Sequence, residues 1–325
     1  MYSNPHHTED LSAFNFLITG GGGFIGSNLV EYLLKNKAKK VSVLDNFSNG
    51  YRENLSEFMD HPAFELLEGD IRDLETCKKA MEGMDYVSHQ AALGSVPRSI
   101  NDPATTNEVN ITGFLNMMIA LKDSKTVKRM VYAASSSTYG DSKSLPKVEA
   151  TIGKPLSPYA VTKYVNELYA DVFGSTYDTD VIGLRYFNVF GPKQSPNGAY
   201  AAVIPLFMQA LQDDKPAKIN GDGEQTRDFT FIDNVVQANV KGFFASKAAK
   251  NQVFNVACGE RISINYLWES LRIAAGTDLK AVYGPPRQGD VRDSLADISK
   301  AEQLLGYKPQ FTVREGLKIT WDYFN

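Results

Sequence analysis

The chain of 325 residues has few of the residue types that build disulfide frameworks or metal centres. It has two cysteines, Cys77 and Cys258, and four histidines, of which His6 and His7 lie in a polar N-terminal segment. Cysteines so far apart exclude a disulfide framework and a CxxC metal motif. We therefore expect no bound metal and a reducing environment such as the cytoplasm.

The sequence also lacks a strong excess of charge of one sign and a long hydrophobic run. Its 34 basic and 38 acidic residues leave a formal net charge of -4, whereas nucleic-acid-binding proteins are usually basic. The longest apolar run, residues 199–211, is too short to span a bilayer. Residues 1–10 do not form a basic start followed by an apolar stretch. We expect neither a nucleic-acid partner nor a membrane segment.

Short β-branched runs alternate with helical segments over the first two-thirds of the chain. This alternation predicts a parallel sheet with helices on both faces. Strands are predicted over 14–18, 41–45, 64–68, 86–89, 129–134, 181–185 and 254–256, and helices over 24–35, 104–122, 158–175, 234–245, 264–275, 298–305 and 313–322. The fold class is thus α/β, a Rossmann doubly wound parallel sheet with a smaller α/β C-terminal substrate lobe. We expect residues 1–190 to form the sheet domain, residues 232–260 to return to it, and residues 191–325 to form most of the lobe.

A glycine-rich turn, residues 19–26, connects the first predicted strand to the first helix. Gly20 permits a tight turn, Gly23 lets the backbone approach a pyrophosphate, and Gly26 lets the helix pack closely on the strand. The helix N-terminus offers N–H donors to the phosphates. Asp45, at the end of the second strand, can accept hydrogen bonds from both ribose hydroxyls of adenosine and would repel a 2′-phosphate. The pattern predicts an NAD site in residues 1–190.

Alternatives exist for each of these residues. The four glycines could form a plain flexible loop, and Asp45 could be an ordinary strand-ending turn residue. Asp70 ends the third strand, where it could receive the adenine amino group or cap a helix that begins at Leu74.

Tyr159 and Lys163 are four residues apart in a predicted helix and therefore share one face. An ammonium beside a phenol lowers the phenol pKa from about 10, which predicts a general base usable near neutral pH. A second Tyr-x-x-x-Lys match, Tyr139 to Lys143, lies in a turn sequence, where this argument fails. A hydroxyl of the cluster 135–138 could orient a substrate alcohol against Tyr159, although the cluster could also be a polar loop.

Taken together, these motifs resemble the extended short-chain dehydrogenase/reductase superfamily. The similarity also includes Gly69-Asp70, His89-x-Ala91-Ala92, Asn110-x-x-Gly113, the segment from Arg185 to Pro192, Arg287-x-Gly289-Asp290 and Asp297-x-x-Lys300. Residues 91–99 and 154–163 resemble the nucleotide-sugar 4-epimerases, and among them the bacterial UDP-N-acetylglucosamine 4-epimerases most closely. The resemblance implies an NAD-dependent isomerase that interconverts UDP-GlcNAc and UDP-GalNAc. Tyr159 would take the proton of the 4-hydroxyl, and bound NAD would take the hydride from C4. The 4-keto sugar would then rotate to present its other face before the hydride and the proton return.

The resemblance also implies which residues form the site. The family's catalytic positions correspond to Ser135, Tyr159 and Lys163. Its cofactor positions correspond to Gly20, Gly23, Phe24, Ile25, Gly26, Asp45, Asn46, Ser48, Gly50, Asp70, Ile71, Gln90, Ala91, Ala92, Asn110, Tyr159, Lys163 and Phe187. Its substrate positions correspond to Gly94, Ser95, Ser135, Ser136, Ser137, Tyr159, Asn188, Ala202, Val203, Lys218, Asn220, Arg227, Arg287, Asp290 and Ser294.

Departures from the family pattern bear on substrate and assembly. Gly94, Ala202 and Ser294 are smaller than the residues of epimerases restricted to UDP-glucose and UDP-galactose, so Ser294 should leave room for an N-acetyl group. A UDP-N-acetylhexosaminuronate or UDP-glucose/galactose 4-epimerase is the alternative. The resemblance further implies a homodimer formed by helix 107–122 and the Tyr159 helix, and a role in polysaccharide biosynthesis. An apolar stripe of Phe114, Leu115, Met118 and Ile119 fits that interface, although burial within one subunit would also explain it.

Two other functions are disfavoured. A nucleotide-sugar 4,6-dehydratase would need an acid and a base where Ser136 and Ser137 stand. A non-catalytic regulator that senses NAD typically loses the tyrosine and lysine, and this chain keeps both Tyr159 and Lys163.

Overall fold

A computed structural model describes residue 2 and residues 5–196, 202–286 and 292–325. The strands are β1 (Asn15–Thr19), β2 (Lys40–Asp45), β3 (Phe64–Glu68), β4 (Tyr86–His89), β5 (Arg129–Ser135), β6 (Val181–Tyr186), β7 (Val189–Phe190), β8 (Lys218–Asn220), β9 (Thr226–Arg227), β10 (Thr230–Phe231), β11 (Gln252–Val256), β12 (Ile262–Ser263) and β13 (Val282–Gly284). The α-helices are α1 (Phe24–Lys35), α2 (Leu74–Met81), α3 (Val96–Asn101), α4 (Pro103–Asn107), α5 (Gly113–Asp123), α6 (Pro158–Tyr177), α7 (Val203–Gln212), α8 (Ile232–Phe244), α9 (Ile264–Ala275), α10 (Ser299–Leu305) and α11 (Val313–Phe324).

Seven strands form one parallel sheet in the order β11-β6-β5-β4-β1-β2-β3. Successive side chains of β1 alternate between two cores, as the pleat of a strand requires. Phe16 and Ile18 lie in the core that α1 and α8 cover, and Leu17 lies in the core that α2 and α5 cover. Each such fully buried side chain contributes roughly 1.5–3 kcal/mol of transfer free energy. The predicted α/β fold with a doubly wound parallel sheet is confirmed.

The late strand predicted over residues 254–256 is present as β11, which pairs in parallel with β6 at the edge of the main sheet. The chain between β6 and the C-terminus also forms three small two-stranded sheets, which pair β10 with β7, β12 with β9 and β13 with β8. α7 packs against α9, and α9 against α11. None of the described helices is long and apolar enough to cross a bilayer.

The helix predicted over residues 104–122 is interrupted. α4 and α5 are joined by one π-helical turn, Glu108–Thr112, which contains the buried Asn110. Burial within one subunit, the alternative explanation of the apolar stripe on this helix, accounts for two of its four residues. Phe114 and Met118 are fully buried in the core beneath the sheet, and Leu115 and Ile119 pack against it from the outside. The sequence analysis did not predict α2, α3 or α7.

Candidate active site

The glycine-rich turn between β1 and α1 brings backbone into close contact with backbone. Gly20 has a left-handed φ of +71°, and a Cβ there would lie 2.7 Å from the backbone nitrogen of Ala91. A Cβ at Gly26 would lie 2.2 Å from the carbonyl oxygen of Gly20. Real Cβ atoms do not approach so closely, so both positions require glycine. Because no side chain caps α1, its first N–H groups face the turn.

A cleft with an empty volume of about 540 Å³ opens beside this turn, at the carboxyl ends of the central strands. Its lining consists of Gly20, Gly23, Leu44, Asp45, Asn46, Ser48, Asn49, Gly50, Gly69, Asp70, Ile71, Gln90, Ala91, Ala92, Leu93 and Val109. The structure thus brings together the predicted cofactor residues from 20 to 92, with three exceptions. Phe24 and Ile25 pack against the core, and Gly26 contacts Gly20 behind the turn.

The carboxylate of Asp45 connects the glycine-rich turn to the loop after β2. Its Oδ2 accepts the N–H of Gly22 at 2.8 Å, and its Oδ1 accepts the N–H of Phe47 at 2.8 Å. Each carboxylate oxygen has a further lone pair that can accept another donor. Asp45 is therefore fixed in place while it keeps acceptor capacity toward the cleft.

Asp70 is held by neighbours on the cleft wall. Arg72 forms an ion pair with it at 2.7 Å, and the amide nitrogen of Asn46 donates to its Oδ2 at 2.9 Å. The hydrogen bonds from Arg72 above all lower the pKa of Asp70 to about 2. The residue that caps α2 is Asp73, which accepts the N–H groups of Glu75 and Thr76. The alternative role of Asp70 as a helix cap is therefore wrong.

The first turn of α6 carries Tyr159 because the helix begins one residue earlier. Ser157 accepts the N–H of Ala160 at 3.1 Å, and Pro158 occupies the first helical position. Lys163 follows one turn later on the same face, with its Nζ 6.0 Å from the centre of the Tyr159 ring. The shared face predicted for the pair is confirmed. In the other Tyr-x-x-x-Lys match, Tyr139 is buried. Its hydroxyl donates to Asn255 at 2.6 Å.

The predicted lowering of the phenol pKa is wrong for the protein alone. Burial raises the pKa of Tyr159, and only a hydrogen bond with Ser135 opposes this effect. Lys163 is itself buried and donates to the Ala133 carbonyl oxygen at 2.7 Å. Burial lowers the pKa of Lys163 to about 8, partly offset by the carboxylate of Glu167. The ammonium is thus directed at β5, and desolvation dominates at the phenol.

The serine cluster forms a turn directly at the end of β5. The N–H and the hydroxyl of Ser137 both donate to Ser135 Oγ, at 3.2 and 2.9 Å. Ser135, Ser136 and Ser137 are all partly exposed. The cluster therefore presents hydroxyls beside Tyr159.

Four of the predicted cofactor residues, Asn110, Tyr159, Lys163 and Phe187, are not among the residues that line the cleft. Asn110 is bonded to both backbone groups of Leu93 and donates to Thr162 Oγ1 at 3.1 Å, so it ties the loop after β4 to α6. The side chain of Phe187 is fully buried and packs 5.9 Å from the Tyr139 ring.

Three of the predicted substrate residues belong to or contact the segment 226–228, which contains the buried Asp228. The Asn188 amide donates to the backbone oxygen of Asp228 at 2.9 Å, Arg227 is its chain neighbour, and the N–H of Ser294 donates to Thr226. The Asp228 carboxylate accepts N–H groups of the 258–260 turn and of residue 296, and burial raises its pKa to about 7. Sequence reasoning missed Asp228, whose only signal was its position beside Arg227.

The remaining predicted substrate residues lie on separate elements of the chain. Gly94 has open space where a Cβ would lie, and Ser95 caps α3 with a φ of +106°. Ala202 precedes Val203, the first residue of α7, and Lys218 and Asn220 are exposed at the two ends of β8. Arg287 and Asp290 lie outside the described residues.

The residues of the cleft fit a dinucleotide. Added Cβ atoms would fill the turn at Gly20 and Gly26, the N-terminus of α1 offers N–H donors for phosphates, and Asp45 offers acceptors for ribose hydroxyls. Among the described residues, no group of three or more His, Cys, Asp or Glu could hold a metal ion. The fold and the cleft define a dinucleotide-dependent enzyme of the Rossmann class.

The chain belongs to the NAD-dependent epimerase/dehydratase family, which it matches over residues 16–257. NAD is therefore its cofactor, and the chain is an enzyme of the epimerase type.

Similar solved structures cover nearly the whole chain. The UDP-N-acetylglucosamine 4-epimerase of Methanobrevibacter ruminantium M1, in complex with UDP-N-acetylmuramic acid, is 38% identical with a TM-score of 0.90, covering 96% of this chain and 98% of that one. The UDP-glucose 4-epimerase of Thermotoga maritima, with UDP-glucose, is 37% identical with a TM-score of 0.89, covering 95% and 98%. The UDP-glucuronic acid 4-epimerase of Bacillus cereus, with UDP-glucuronic acid and NAD, is 32% identical with a TM-score of 0.88, covering 95% and 98%.

Proposed function

We propose that the protein is a UDP-sugar 4-epimerase that interconverts UDP-GlcNAc and UDP-GalNAc. The observation that carries this proposal is that Ser135, Tyr159 and Lys163 lie together at the end of β5 and the start of α6, and that Asn110 links α6 to Leu93 of the cleft wall. A 4-epimerase needs a base for the 4-hydroxyl beside a hydride acceptor, and this arrangement supplies the base. The three solved relatives described above are 4-epimerases of different UDP-sugars, which supports the reaction. The choice of sugar is therefore argued from the site residues.

The residues have distinct tasks in this reaction. Ser135 positions the 4-oxygen of the sugar, and Tyr159 removes the hydroxyl proton and later returns it. Lys163 supplies positive charge that favours the phenolate form of Tyr159. A bound NAD would supply the hydride acceptor and donor for C4 and, in its oxidised form, positive charge. Return of the hydride to the opposite face of C4, with the proton going back to the 4-oxygen from Tyr159, would invert C4 without net oxidation.

The choice of an N-acetylated sugar rests on the small residues at two of the predicted substrate positions. Gly94 has no atom within 4 Å of the position where a Cβ would lie, and Ser294 is a short side chain that is only partly buried. Both leave volume for a C2 substituent. We further assign the UDP part to Asn188, Arg227, Arg287 and Asp290, because planar guanidinium groups suit a diphosphate.

A comparison of substrate pairs tests the sugar. The purified protein is assayed with UDP-GlcNAc, UDP-glucose, UDP-glucuronate and UDP-N-acetylglucosaminuronate, each with its 4-epimer. We expect kcat/KM to be at least about tenfold higher for the UDP-GlcNAc pair than for any other. A higher kcat/KM for either uronate would replace the proposal with a uronate 4-epimerase, and a higher value for UDP-glucose with a UDP-glucose 4-epimerase.

We also propose the domain roles and the assembly. Residues 1–190 with 232–260 bind NAD, and the remainder of 191–325 binds the UDP-sugar, which the pairing of β11 with β6 supports. A homodimer through α6 is supported by three apolar side chains that this helix exposes, Val161, Leu168 and Val172. Sedimentation velocity checks the dimer, and Leu168→Glu should give monomers.

A further inference from the structure

One turn beyond Lys163, on the same face of α6, Glu167 belongs to a buried ion pair to which the proposed reaction gives no task. Arg185 donates to Glu167 through two hydrogen bonds, Nε to Oε1 at 2.9 Å and Nη2 to Oε2 at 2.7 Å. The side chains are only 4% and 7% exposed. Burying two charges costs free energy that even good geometry barely repays. A pair at this depth therefore calls for a role beyond stability.

The position of Glu167 connects the pair to Lys163. Tyr159, Lys163 and Glu167 follow at intervals of four residues, so they share one face of α6. The carboxylate of Glu167 raises the pKa of Lys163 and opposes the effect of burial. The other groups around the ammonium are the Ala133 carbonyl oxygen on β5 and His89 on β4, and burial keeps the imidazole of His89 neutral by lowering its pKa to about 3. Glu167 is thus the negative charge that faces Lys163.

The position of Arg185 connects the pair to the serine turn. The guanidinium carbon lies 4.7 Å from the centre of the Tyr139 ring, which ends the 3₁₀ turn Ser136–Tyr139. The Nη1 atom of Arg185 donates to the Glu149 carbonyl oxygen at 3.1 Å. Arg185 itself belongs to β6, the strand next to β5 in the sheet. The pair therefore joins α6 to the turn that follows Ser135.

We propose that Glu167 and Arg185 are positioning residues: Glu167 favours the charged ammonium of Lys163, and the pair holds the Tyr159 helix in register with the serine turn. This inference rests on the proposed function, because it gives the pair its effect through Lys163. It gives Glu167 and Arg185 opposite effects on the protonation of Lys163. Glu167 favours the charged lysine, and Arg185, which shares the charge of Glu167, weakens that effect.

The test is an NMR titration of Lys163 in protein labelled with ¹³C at lysine Cε, with the signal assigned by its absence in Lys163→Met. We expect Glu167→Gln to move the midpoint of the Lys163 titration down by about 1 pH unit or more, because an uncompensated Arg185 then faces the ammonium. Arg185→Met should move it up. The double variant, which removes both charges, should fall between Glu167→Gln and the wild type, and it keeps the test possible if Glu167→Gln does not fold.

A matched control comes from a second, partly buried arginine–carboxylate pair. Arg129 binds Asp180 through two hydrogen bonds at 2.7 and 2.9 Å at the opposite end of β5. Asp180→Asn should lower the unfolding temperature as Glu167→Gln does, yet leave the Lys163 midpoint unchanged. Shifts of equal sign in Glu167→Gln and Arg185→Met, or a shift in Asp180→Asn as large as that in Glu167→Gln, would overturn the inference.

Turnover supplies the second readout. In the NAD-loaded enzyme, the pH at which kcat declines on the alkaline side should follow the Lys163 midpoint in each variant, while KM for the UDP-sugar changes less than about twofold. A decline that stays at the wild-type pH in Glu167→Gln contradicts the inference. If the wild type epimerises none of the UDP-sugars tested, the proposed function fails, whereas the NMR titration still decides the role of the pair.

Discussion

The Nζ atom of Lys163 lies 6.0 Å from the centre of the Tyr159 ring and donates a hydrogen bond to the Ala133 carbonyl oxygen. The two side chains are thus neighbours on one face of α6, but the ammonium is anchored to β5. In the proposed reaction, Lys163 would act on the phenol through its charge across this gap. The pKa of the Tyr159 phenol therefore depends on what else in the cleft favours the phenolate.

The first prediction concerns the phenol pKa. Because burial raises the pKa of Tyr159, the phenol should titrate above the range of an ordinary tyrosine in protein freed of NAD. Oxidised NAD adds positive charge, which should lower that pKa and move phenolate formation toward neutral pH. The measurement is the absorbance near 295 nm against pH, as the difference between wild type and Tyr159→Phe. An identical titration midpoint with and without NAD would contradict this prediction.

The second prediction concerns the base itself. Tyr159→Phe removes the proton acceptor and should lower kcat by roughly 10²–10⁴-fold. Because the lost hydroxyl is not part of the glycine-rich turn, bound NAD and the unfolding temperature should stay near wild-type values. HPLC of released nucleotide and calorimetry check both. Undiminished turnover in this variant would remove Tyr159 from its role.

The third prediction compares two glycines with the same backbone conformation. Gly20 and Gly83 have φ values of +71° and +70°, but only Gly20 would place a Cβ against backbone. In both alanine variants the free energy of unfolding should fall by roughly 1 kcal/mol, because alanine disfavours the left-handed conformation. Gly20→Ala should lose a further 1–3 kcal/mol or so from overpacking and should also lose bound NAD. Chemical denaturation and nucleotide content measure the difference, and equal effects at both positions would contradict the close approach of the turn to Ala91.

The fourth prediction concerns the room for the N-acetyl group. Ser294→Tyr should lower kcat/KM for the UDP-GlcNAc pair by at least about tenfold, because a bulky ring occupies the space that a C2 substituent needs. Ser299→Tyr, at an exposed position at the start of α10, serves as the control and should have no effect. Equal rates on the N-acetylated pair before and after Ser294→Tyr would show that Ser294 does not border the sugar.

The parts of the structure that the sequence predicted well are those with local causes. The turn at Gly20 and Gly26 is encoded by consecutive residues, and the shared face of Tyr159 and Lys163 follows from helical spacing alone. The helix α2 was missed because it is short and mixed in charge, although Asp73 caps it. Local spacing is therefore sufficient for the centre of the site.

The parts that could not be predicted depend on contacts between distant segments. Glu167 and Arg185 meet only because α6 packs over β6. The Asp228 carboxylate accepts hydrogen bonds from backbone N–H groups of residues about 30 and 68 positions later. Burial also reversed the expected pKa shift of Tyr159, because the depth of a side chain is set by the whole fold.

The measurement that tests the central claim most directly is ¹H NMR of the purified protein incubated with UDP-GlcNAc in D₂O with no NAD added. The account predicts that UDP-GalNAc forms and carries protium at C4, because the hydrogen removed from C4 is the one that returns. Deuterium at C4 of the product, or no product from protein that contains NAD, would contradict it.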